Sequence, residues 1–175
     1  MATAADYREC AYCVMDTSDP EITFDGDGRC NHCRAFETDA ASTWFPNEEG
    51  ERRLGVILEE IRKAGKRKEY DSVLGLSGGV DSSYLALKAQ EWGLRPLVVH
   101  VDAGWNSELA VQNIERIVKY TGYQLHTHVV DWEDMRRLQL AYLRSGVANQ
   151  DVPQDHAFFA GLYHFAVENH VKFVL

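Results

Sequence analysis

The feature that most constrains this chain is a loop rich in glycine and serine, residues 77–83, which reads Ser-Gly-Gly-Val-Asp-Ser-Ser. The apolar run 72–76 before it predicts a buried strand, and residues 84–92 after it predict a helix that ends at Gly93. Gly78 and Gly79 have no Cβ, so an anion can approach the backbone closely. The first N–H groups of a helix have no partner within the helix and carry partial positive charge. Strand, glycine-rich turn and helix together predict a phosphate-binding loop.

The rest of the sequence alternates apolar runs with helical periodicity. Further strands are predicted at 95–102, 124–130 and 171–175, and helices at 51–64, from Asn106 or Ser107 to about 121, at 132–144 and at 154–170. Alternating strands and helices predict an α/β fold with a doubly wound parallel sheet, right-handed crossovers and the strand order 3-2-1-4. Ligands of such sheets bind beyond the carboxyl ends of the strands, here between strands 1 and 4.

The predicted sheet stops at its fourth strand. A catalytic loop and another strand are expected to follow that strand, so the chain looks C-terminally truncated at Leu175. We therefore expect residues 1–175 alone to bind nucleotide weakly.

All four cysteines of the sequence stand near its beginning, in two C-x2-C pairs separated by sixteen residues: Cys10, Cys13, Cys30 and Cys33. This spacing is typical of a structural zinc site. Two disulfides, or a redox-active pair, are the alternatives. His32 lies inside the second pair, but four cysteines already complete a tetrahedron, so we interpret it as a bystander. We predict a zinc-ribbon-like knuckle in residues 1–45 and an α/β domain in residues 46–175.

Apolar side chains next to the cysteines are expected to pack around the metal. The candidates are Tyr12, Val14, Phe24 and Phe36.

Composition narrows the classes of partner. Hydrophobic residues make up 45% of the 175 residues, which is enough for a globular core, and the net charge of −9 disfavours broad nucleic-acid binding. No run approaches the roughly 18 apolar residues of a membrane span. Residues 1–9 lack the apolar stretch of a secretory signal, so we expect a cytoplasmic protein without a membrane partner.

Several polar residues are predicted to lie at the carboxyl ends of the strands. Asp81 stands inside the phosphate loop, where a carboxylate is repulsive unless a cation lies between, so it is a candidate Mg²⁺ ligand; a helix cap is the alternative. Asp151, Asp155 and His156 precede or open the last helix. They could bind hydroxyl groups or orient a nucleophile, or simply cap that helix. His100 is interpreted as a packed strand residue.

Residues 77–83 resemble the SGGxDS signature of the PP-loop ATP pyrophosphatases, a family that includes GMP synthetase, asparagine synthetase, tRNA thiolases and sugar amidotransferases. The loop lacks the Lys-Ser/Thr pair of a Walker A motif and the glycine spacing of a dinucleotide fingerprint. The resemblance implies cleavage of ATP between its α and β phosphates, with Mg²⁺ on Asp81. It implies that the departing pyrophosphate is held by the loop residues Ser77, Gly78, Gly79, Val80, Asp81, Ser82 and Ser83.

The same resemblance implies that the end of strand 2 lines the nucleotide pocket. Backbone contacts are expected from about Val101, and a ribose or substrate contact from Asp102. Trp105, just beyond, either closes the site or covers the end of the sheet. The candidate catalytic residues are Asp81, Asp102, Asp155 and His156.

Taken with the paired cysteines, the segment 100–106 and the Asp-His cluster, the chain resembles a narrower family, the N-acetyl sugar amidotransferases of bacterial surface-glycan biosynthesis. This resemblance implies that an acetamido group of a nucleotide-linked sugar becomes an acetamidino group, through an adenylated intermediate, at the expense of ATP. It also implies a partner glutaminase that supplies ammonia, because no cysteine remains outside the predicted zinc site. A tRNA-thiolating PP-loop enzyme and a non-catalytic zinc- and nucleotide-binding module are the alternatives.

Overall fold

The computed structural model describes residues 7–175. The chain divides into two compact units, Met1–Gly55 and Val56–Leu175. The first unit contains two short turns and the helix α1 (Asn31–Thr43), and the helix α2 (Glu48–Gly65) begins in this unit and continues into the second.

Each turn of the first unit is closed by a single antiparallel bridge, Glu9 with Asp16 and Phe24 with Cys30. The second turn follows from its Asp-Gly-Asp-Gly sequence, because the Asp25 carboxylate accepts the N–H groups of Asp27 and Arg29 at 3.0 and 2.9 Å. Both bridges therefore place a cysteine beside a tight turn.

The second unit is a parallel sheet wrapped by helices. Its elements in chain order are β1 (Ser72–Gly75), α3 (Val80–Glu91), β2 (Pro96–Asp102), α4 (Glu108–Thr121), β3 (Leu125–Val129), α5 (Trp132–Ser145), α6 (Val152–Glu168) and β4 (Phe173–Val174). All strands are parallel, and their order is β3-β2-β1-β4. The predicted fold class and strand order are confirmed.

Local sequence signals set most helix boundaries. The Ser107 hydroxyl caps α4 by accepting the Ala110 N–H, and the Asp131 carboxylate caps α5 by accepting the Asp134 N–H. Helix α4 ends at Gly122, in the left-handed conformation that glycine adopts without strain. Helix α2 starts three residues before the predicted position, because the Asn47 side chain accepts the N–H groups of Glu49 and Gly50.

Two apolar side chains that match the helical period of α2 and α4 do not face the core. Ile57 of α2 is 51% exposed and Leu109 of α4 is 63% exposed. Helix periodicity places them next to buried positions but on the outer margin of the apolar stripe, and the buried residues are Leu58 and Ile61 in α2 and Ile114 in α4.

The core lies where α6 crosses the sheet. Val73, Leu97, Val99, Val101, Ala166 and Val171 form its buried centre. The helix approaches β2 closely at Gly161, where a Cβ would lie 2.7 Å from Cγ2 of Val101. No helix in residues 7–175 is long and apolar enough to cross a membrane.

This close approach makes Gly161 a test of the fold. Gly161→Leu should lower the free energy of unfolding by about 1–3 kcal/mol, because the new side chain must displace Val101 in a packed core. The neighbouring exposed residue of the same helix gives a matched control, Ala160→Leu, which should change it by less than about 0.5 kcal/mol. Urea denaturation followed by circular dichroism measures both, and equal effects would contradict the packing described.

Candidate active site and metal centre

The loop between β1 and α3 is shaped by its own serines. The Ser77 N–H donates to Oγ of Ser82 at 3.2 Å, and the two hydroxyl oxygens lie 3.1 Å apart. The Gly79 N–H donates to Oγ of Ser77 at 3.3 Å. Two backbone donors and two hydroxyl groups thus meet on one side of the loop, an arrangement suited to the oxygens of an anion.

The two glycines have different roles. Gly78 has φ +79°, and a Cβ there would lie 2.2 Å from the carbonyl oxygen of Ala110 in α4. Gly79 has ordinary backbone angles, and a Cβ there would meet only Oγ of Ser77, at 3.4 Å. Gly78 therefore allows the loop to press against α4, whereas Gly79 leaves open the side on which the serines lie.

Helix α3 begins without a side-chain cap, because the residue at its cap position is Gly79. The helices α4 and α5 are both capped by side chains, from Ser107 and Asp131. The first N–H groups of α3, from Val80 to Ser82, are thus left for another acceptor. An anion at this position would also be favoured by the helix dipole.

The remaining loop residues do not all converge. The Asp81 carboxylate is exposed in the first turn of α3. Ser83 makes no side-chain hydrogen bond within the described part of the chain, and its buried Oγ belongs to a groove between α3 and α4. The structure therefore brings Ser77 and Ser82 together but leaves Ser83 apart from them.

A cavity of about 190 Å³ lies beside Ser77, at the ends of β1 and β2. Phe158 and Leu162 of α6 line it together with Val99 and Val101 of β2. The Val99 carbonyl accepts the Leu76 N–H at 2.9 Å. Since backbone groups alternate along a strand, Val101 directs its N–H and C=O to the same side, beyond the point where the chain leaves β1. This location suits the backbone contact predicted for Val101, which stays a prediction.

His100 is buried, with 7% of its surface exposed, and both ring nitrogens are engaged. Nδ1 donates to the carbonyl oxygen of Leu76 at 2.9 Å, and Nε2 accepts from Nδ2 of Asn106 at 3.0 Å. A carbonyl only accepts, so the partners fix the neutral tautomer with its proton on Nδ1. His100 is thus a packed strand residue, as expected from its sequence context.

Asp102 and Trp105, at the end of β2 and in the turn after it, each make a contact close by in the chain or with the start of α5. Oδ1 of Asp102 accepts the Gly104 N–H at 2.8 Å and so shapes the turn, and the other carboxylate oxygen has no hydrogen-bond partner within residues 7–175. The Trp105 ring meets the Trp132 ring edge to face, with centroids 5.5 Å apart. Trp105 therefore packs against the start of α5, and whether it closes the site or covers the end of the sheet stays a prediction.

The Asp-His cluster, formed by Asp151, Asp155 and His156, lies at the start of α6. Asp151 precedes the helix without a side-chain capping bond, and Asp155 and His156 are exposed in its first turns. Their end of α6 lies on the carboxyl side of the sheet, because Phe158 and Leu162 of the same helix line the cavity beside Ser77. No hydrogen bond or ion pair within residues 7–175 joins Asp155 or His156 to Asp81 or Asp102, so their catalytic roles stay predictions.

The four cysteines of the first unit form a cluster. Their sulfur atoms all lie within 4.8 Å of one another, and none is in a disulfide. Cys10 and Cys33 are separated by 3.8 Å, Cys13 and Cys30 by 3.7 Å, and Cys30 and Cys33 by 3.6 Å. A zinc ion with tetrahedral bonds of about 2.3 Å holds its sulfur ligands about 3.8 Å apart. The donor set therefore fits zinc.

The pKa values of the Cys10 and Cys33 thiols are shifted in opposite directions. Burial alone would raise the pKa of Cys10, but backbone N–H groups, chiefly those of Tyr12 and Cys30, donate to its sulfur and lower the pKa to about 6. Hydrogen bonding to Cys13, burial and the other sulfurs raise the pKa of Cys33 to about 12. Four thiolates this close cannot all be ionised unless a cation lies between them.

The surroundings of the cluster differ from expectation. His32 bonds Asp19 at 2.6 Å and stays outside the cluster, as predicted. The expected apolar packing is wrong for Tyr12, Val14 and Phe36, which are 67%, 94% and 62% exposed, and only Phe24 is partly covered. The Arg8 guanidinium lies over the Phe24 ring at 4.4 Å, and the Arg29 guanidinium lies over Tyr12 at 4.8 Å. Two of the aromatic faces thus stack with arginines at the surface.

The roles of two site residues were not predicted from the sequence. Asn106, which was named only as a possible helix cap and within the segment 100–106, contacts His100, and Nδ2 of Asn113 in α4 donates to the carbonyl oxygen of Gly78 at 3.0 Å. The sequence indicates Asn113 only weakly, as a polar residue that stands next to the inward-facing Ile114 of an amphipathic helix.

The sequence matches no family model and no curated protein. The solved structures with a similar backbone include the three that follow. One is an NH3-dependent NAD synthetase from Campylobacter jejuni in complex with the nitrate ion, with a TM-score of 0.49 and 13% identity over 70% of this chain and 54% of that chain. An NAD+ synthetase from Burkholderia pseudomallei gives a TM-score of 0.45 and 23% identity over 75% and 62%.

The third is an NMN synthetase from Francisella tularensis, with a TM-score of 0.48 and 17% identity over 70% of this chain and 52% of that chain. This chain therefore spans between 52% and 62% of the length of the three structures.

The metal centre predicts about one zinc ion per chain. Cys30→Ser should lose the metal and expose the first unit to proteolysis, because Cys30 is fully buried and also accepts the Cys33 N–H that starts α1. His32→Ala is the control and should keep the metal. Elemental analysis of the purified variants decides, and protein free of metal but containing two disulfides would contradict the assignment.

The two glycines of the loop make a matched pair. Gly79→Ala should leave the folded protein intact but weaken binding of inorganic pyrophosphate by about tenfold or more, because its methyl group points into the anion side and displaces a charge-assisted contact. Gly78→Ala should instead destabilise the fold, by about 1–3 kcal/mol, through its collision with the Ala110 backbone and its positive φ. Calorimetric titration and thermal unfolding separate the two effects, and the reverse pattern would contradict the geometry.

Proposed function

We propose that this protein is an ATP-dependent enzyme that cleaves ATP between the α and β phosphates. The observation that carries the proposal is the serine-lined loop followed by the uncapped start of α3, at the carboxyl end of the buried strand β1. Such a loop offers several N–H groups and hydroxyls spread over an area, which suits a whole pyrophosphate group better than a single phosphoryl oxygen. The adjoining apolar cavity, with Val101 at its edge, would take the base of the nucleotide.

Magnesium fits the same site. The Asp81 carboxylate stands beside N–H groups that would hold phosphate, and two negative groups tolerate this proximity only with a cation between them. Carboxylate and phosphate oxygens are the ligands that Mg²⁺ prefers. Asp81 would hold the ion, and the chemistry that Mg²⁺ supplies when bound is neutralisation of negative charge on the phosphates.

The acceptor in this proposal is the acetamido group of a nucleotide-linked sugar. An amide oxygen is a poor leaving group, so it would first attack the α phosphorus, forming an AMP ester and releasing pyrophosphate. Ammonia would then add to the activated carbon, and AMP would leave with the oxygen to give the acetamidino group. Asp102, with one free carboxylate oxygen, and the exposed pair Asp155 and His156 would bind sugar hydroxyls or orient the ammonia.

Ammonia would come from a partner glutaminase. All four cysteines of the sequence lie in the metal cluster, so none remains as a glutaminase nucleophile. The same fact weighs against tRNA thiolation by a sulfur-carrying cysteine of this chain. The acidic net charge of −9 also disfavours a tRNA substrate.

Product analysis tests the proposal. The full-length protein, incubated with ATP, Mg²⁺, ammonium and an acetamido-sugar nucleotide, should form AMP and pyrophosphate together in the phosphorus NMR spectrum. Asp81→Asn, which keeps the shape but not the charge, should lower turnover by about 10²-fold or more. Lys119→Gln is the control, because it removes a charge from an exposed ion pair in the last turn of α4. ADP and orthophosphate as the primary products would sink the assignment.

A further inference from the structure

A loop that binds an anion must turn its N–H groups toward the ligand and its carbonyl oxygens away. In this chain the two carbonyls on either side of Ser77 each accept a side-chain hydrogen bond. The Leu76 oxygen takes the proton of His100 Nδ1 at 2.9 Å, and the Gly78 oxygen takes a proton of Asn113 Nδ2 at 3.0 Å. Both donors lie outside the loop.

These bonds control the direction of two N–H groups. The Leu76 carbonyl and the Ser77 N–H belong to one planar peptide unit, and so do the Gly78 carbonyl and the Gly79 N–H. Fixing each oxygen therefore fixes the opposite N–H. These are the two N–H groups that point at the hydroxyls of Ser82 and Ser77, on the side where the serines meet.

The loop needs such support because its glycines do not supply stiffness. Glycine occupies positive and negative φ about equally well, so a peptide unit between two glycines can rotate and exchange its N–H for its C=O at little steric cost. A rotated Gly78–Gly79 unit would present a carbonyl oxygen to the anion, which repels it.

Both supports converge on the first turns of α4. Asn106, which holds His100, immediately precedes the capping residue Ser107. Asn113 lies within the helix next to Ile114, which is 5% exposed, and Gly78 itself rests on the Ala110 carbonyl of the same helix. Helix α4 thus holds the loop at two points, Asn113 and Ala110, and the residues just before it support the third through His100.

We propose that Asn113, assisted by the His100–Asn106 pair, is a positioning residue that sets the peptide orientation of the phosphate loop. Asn113 does not touch the ligand. It acts through the Gly78–Gly79 peptide and fixes the Gly79 N–H toward the anion. This inference rests on the proposed function, in which the loop holds the pyrophosphate part of ATP.

The first arm of the test requires no ligand. In the nitrogen–proton NMR spectrum, Asn113→Leu should shift the Gly79 amide resonance and speed its hydrogen exchange, because leucine has a similar size but no N–H to hold the Gly78 carbonyl. Gln112→Leu is the matched control, since it makes the same kind of change at the exposed neighbouring position of α4 and should leave the Gly79 amide unchanged. An unchanged Gly79 amide in Asn113→Leu would overturn the proposal.

The second arm measures binding of pyrophosphate and Mg-ATP by calorimetry on the full chain. Asn113→Leu should weaken both about tenfold, as expected for one lost net hydrogen bond. Asn113→Gln, which keeps the amide donor, should recover part of the affinity, whereas Gln112→Leu should bind like the unaltered protein. Unchanged affinity in a folded Asn113→Leu protein would overturn the positioning role. If the unaltered protein bound neither ligand, the proposed function would fail, and the NMR arm would still decide the role of Asn113.

Discussion

The carbonyl oxygens of Leu76 and Gly78 accept hydrogen bonds from His100 and Asn113, and these contacts decide which way the loop after β1 presents its N–H groups. Everything else at the site depends on that orientation. The serine hydroxyls meet because the Ser77 and Gly79 N–H groups point at them. The bare start of α3 then continues the same row of donors. In the proposed function, a buried histidine and one asparagine thus convert a flexible glycine pair into an ordered surface for the pyrophosphate.

The first unit follows a different principle, because it has almost no hydrocarbon interior. Within its described part, residues 7–55, the buried apolar side chains are those of Cys10 and Cys30, and most aromatic rings lie at the surface. A segment of this size cannot gain enough from apolar burial to offset its lost chain entropy. Metal coordination by the four sulfurs, which are spaced as in a zinc site, would supply the missing free energy. The exposed aromatic side chains are then free to stack on arginines rather than fill a core.

The periodicity of apolar residues and the residues that end helices were enough to predict the sheet. The buried runs of β1 and β2 and the glycine after α4 predict alternating strands and helices, and the order β3-β2-β1-β4 is the one expected of a doubly wound parallel sheet. The cysteine spacing likewise predicted the cluster. The exposure of individual side chains was harder to predict, since Leu109 and Ile57 match the helical period yet lie at the margin of the apolar stripe. Asn113 could not be found at all, because its partner Gly78 is 35 positions away and the contact depends on how α4 packs beside the loop.

The charge balance of the site restricts its ligand further. The loop carries no lysine, its acidic residue Asp81 is exposed, and the whole chain has a net charge of −9. Helix dipoles and N–H groups contribute only partial charges, which fall off within a turn. In the proposed function, a bare phosphate chain should therefore bind this loop more weakly than one that arrives with a divalent cation, because the cation reverses the sign of the interaction with Asp81. Asp81 would then contribute to binding only when that cation is present.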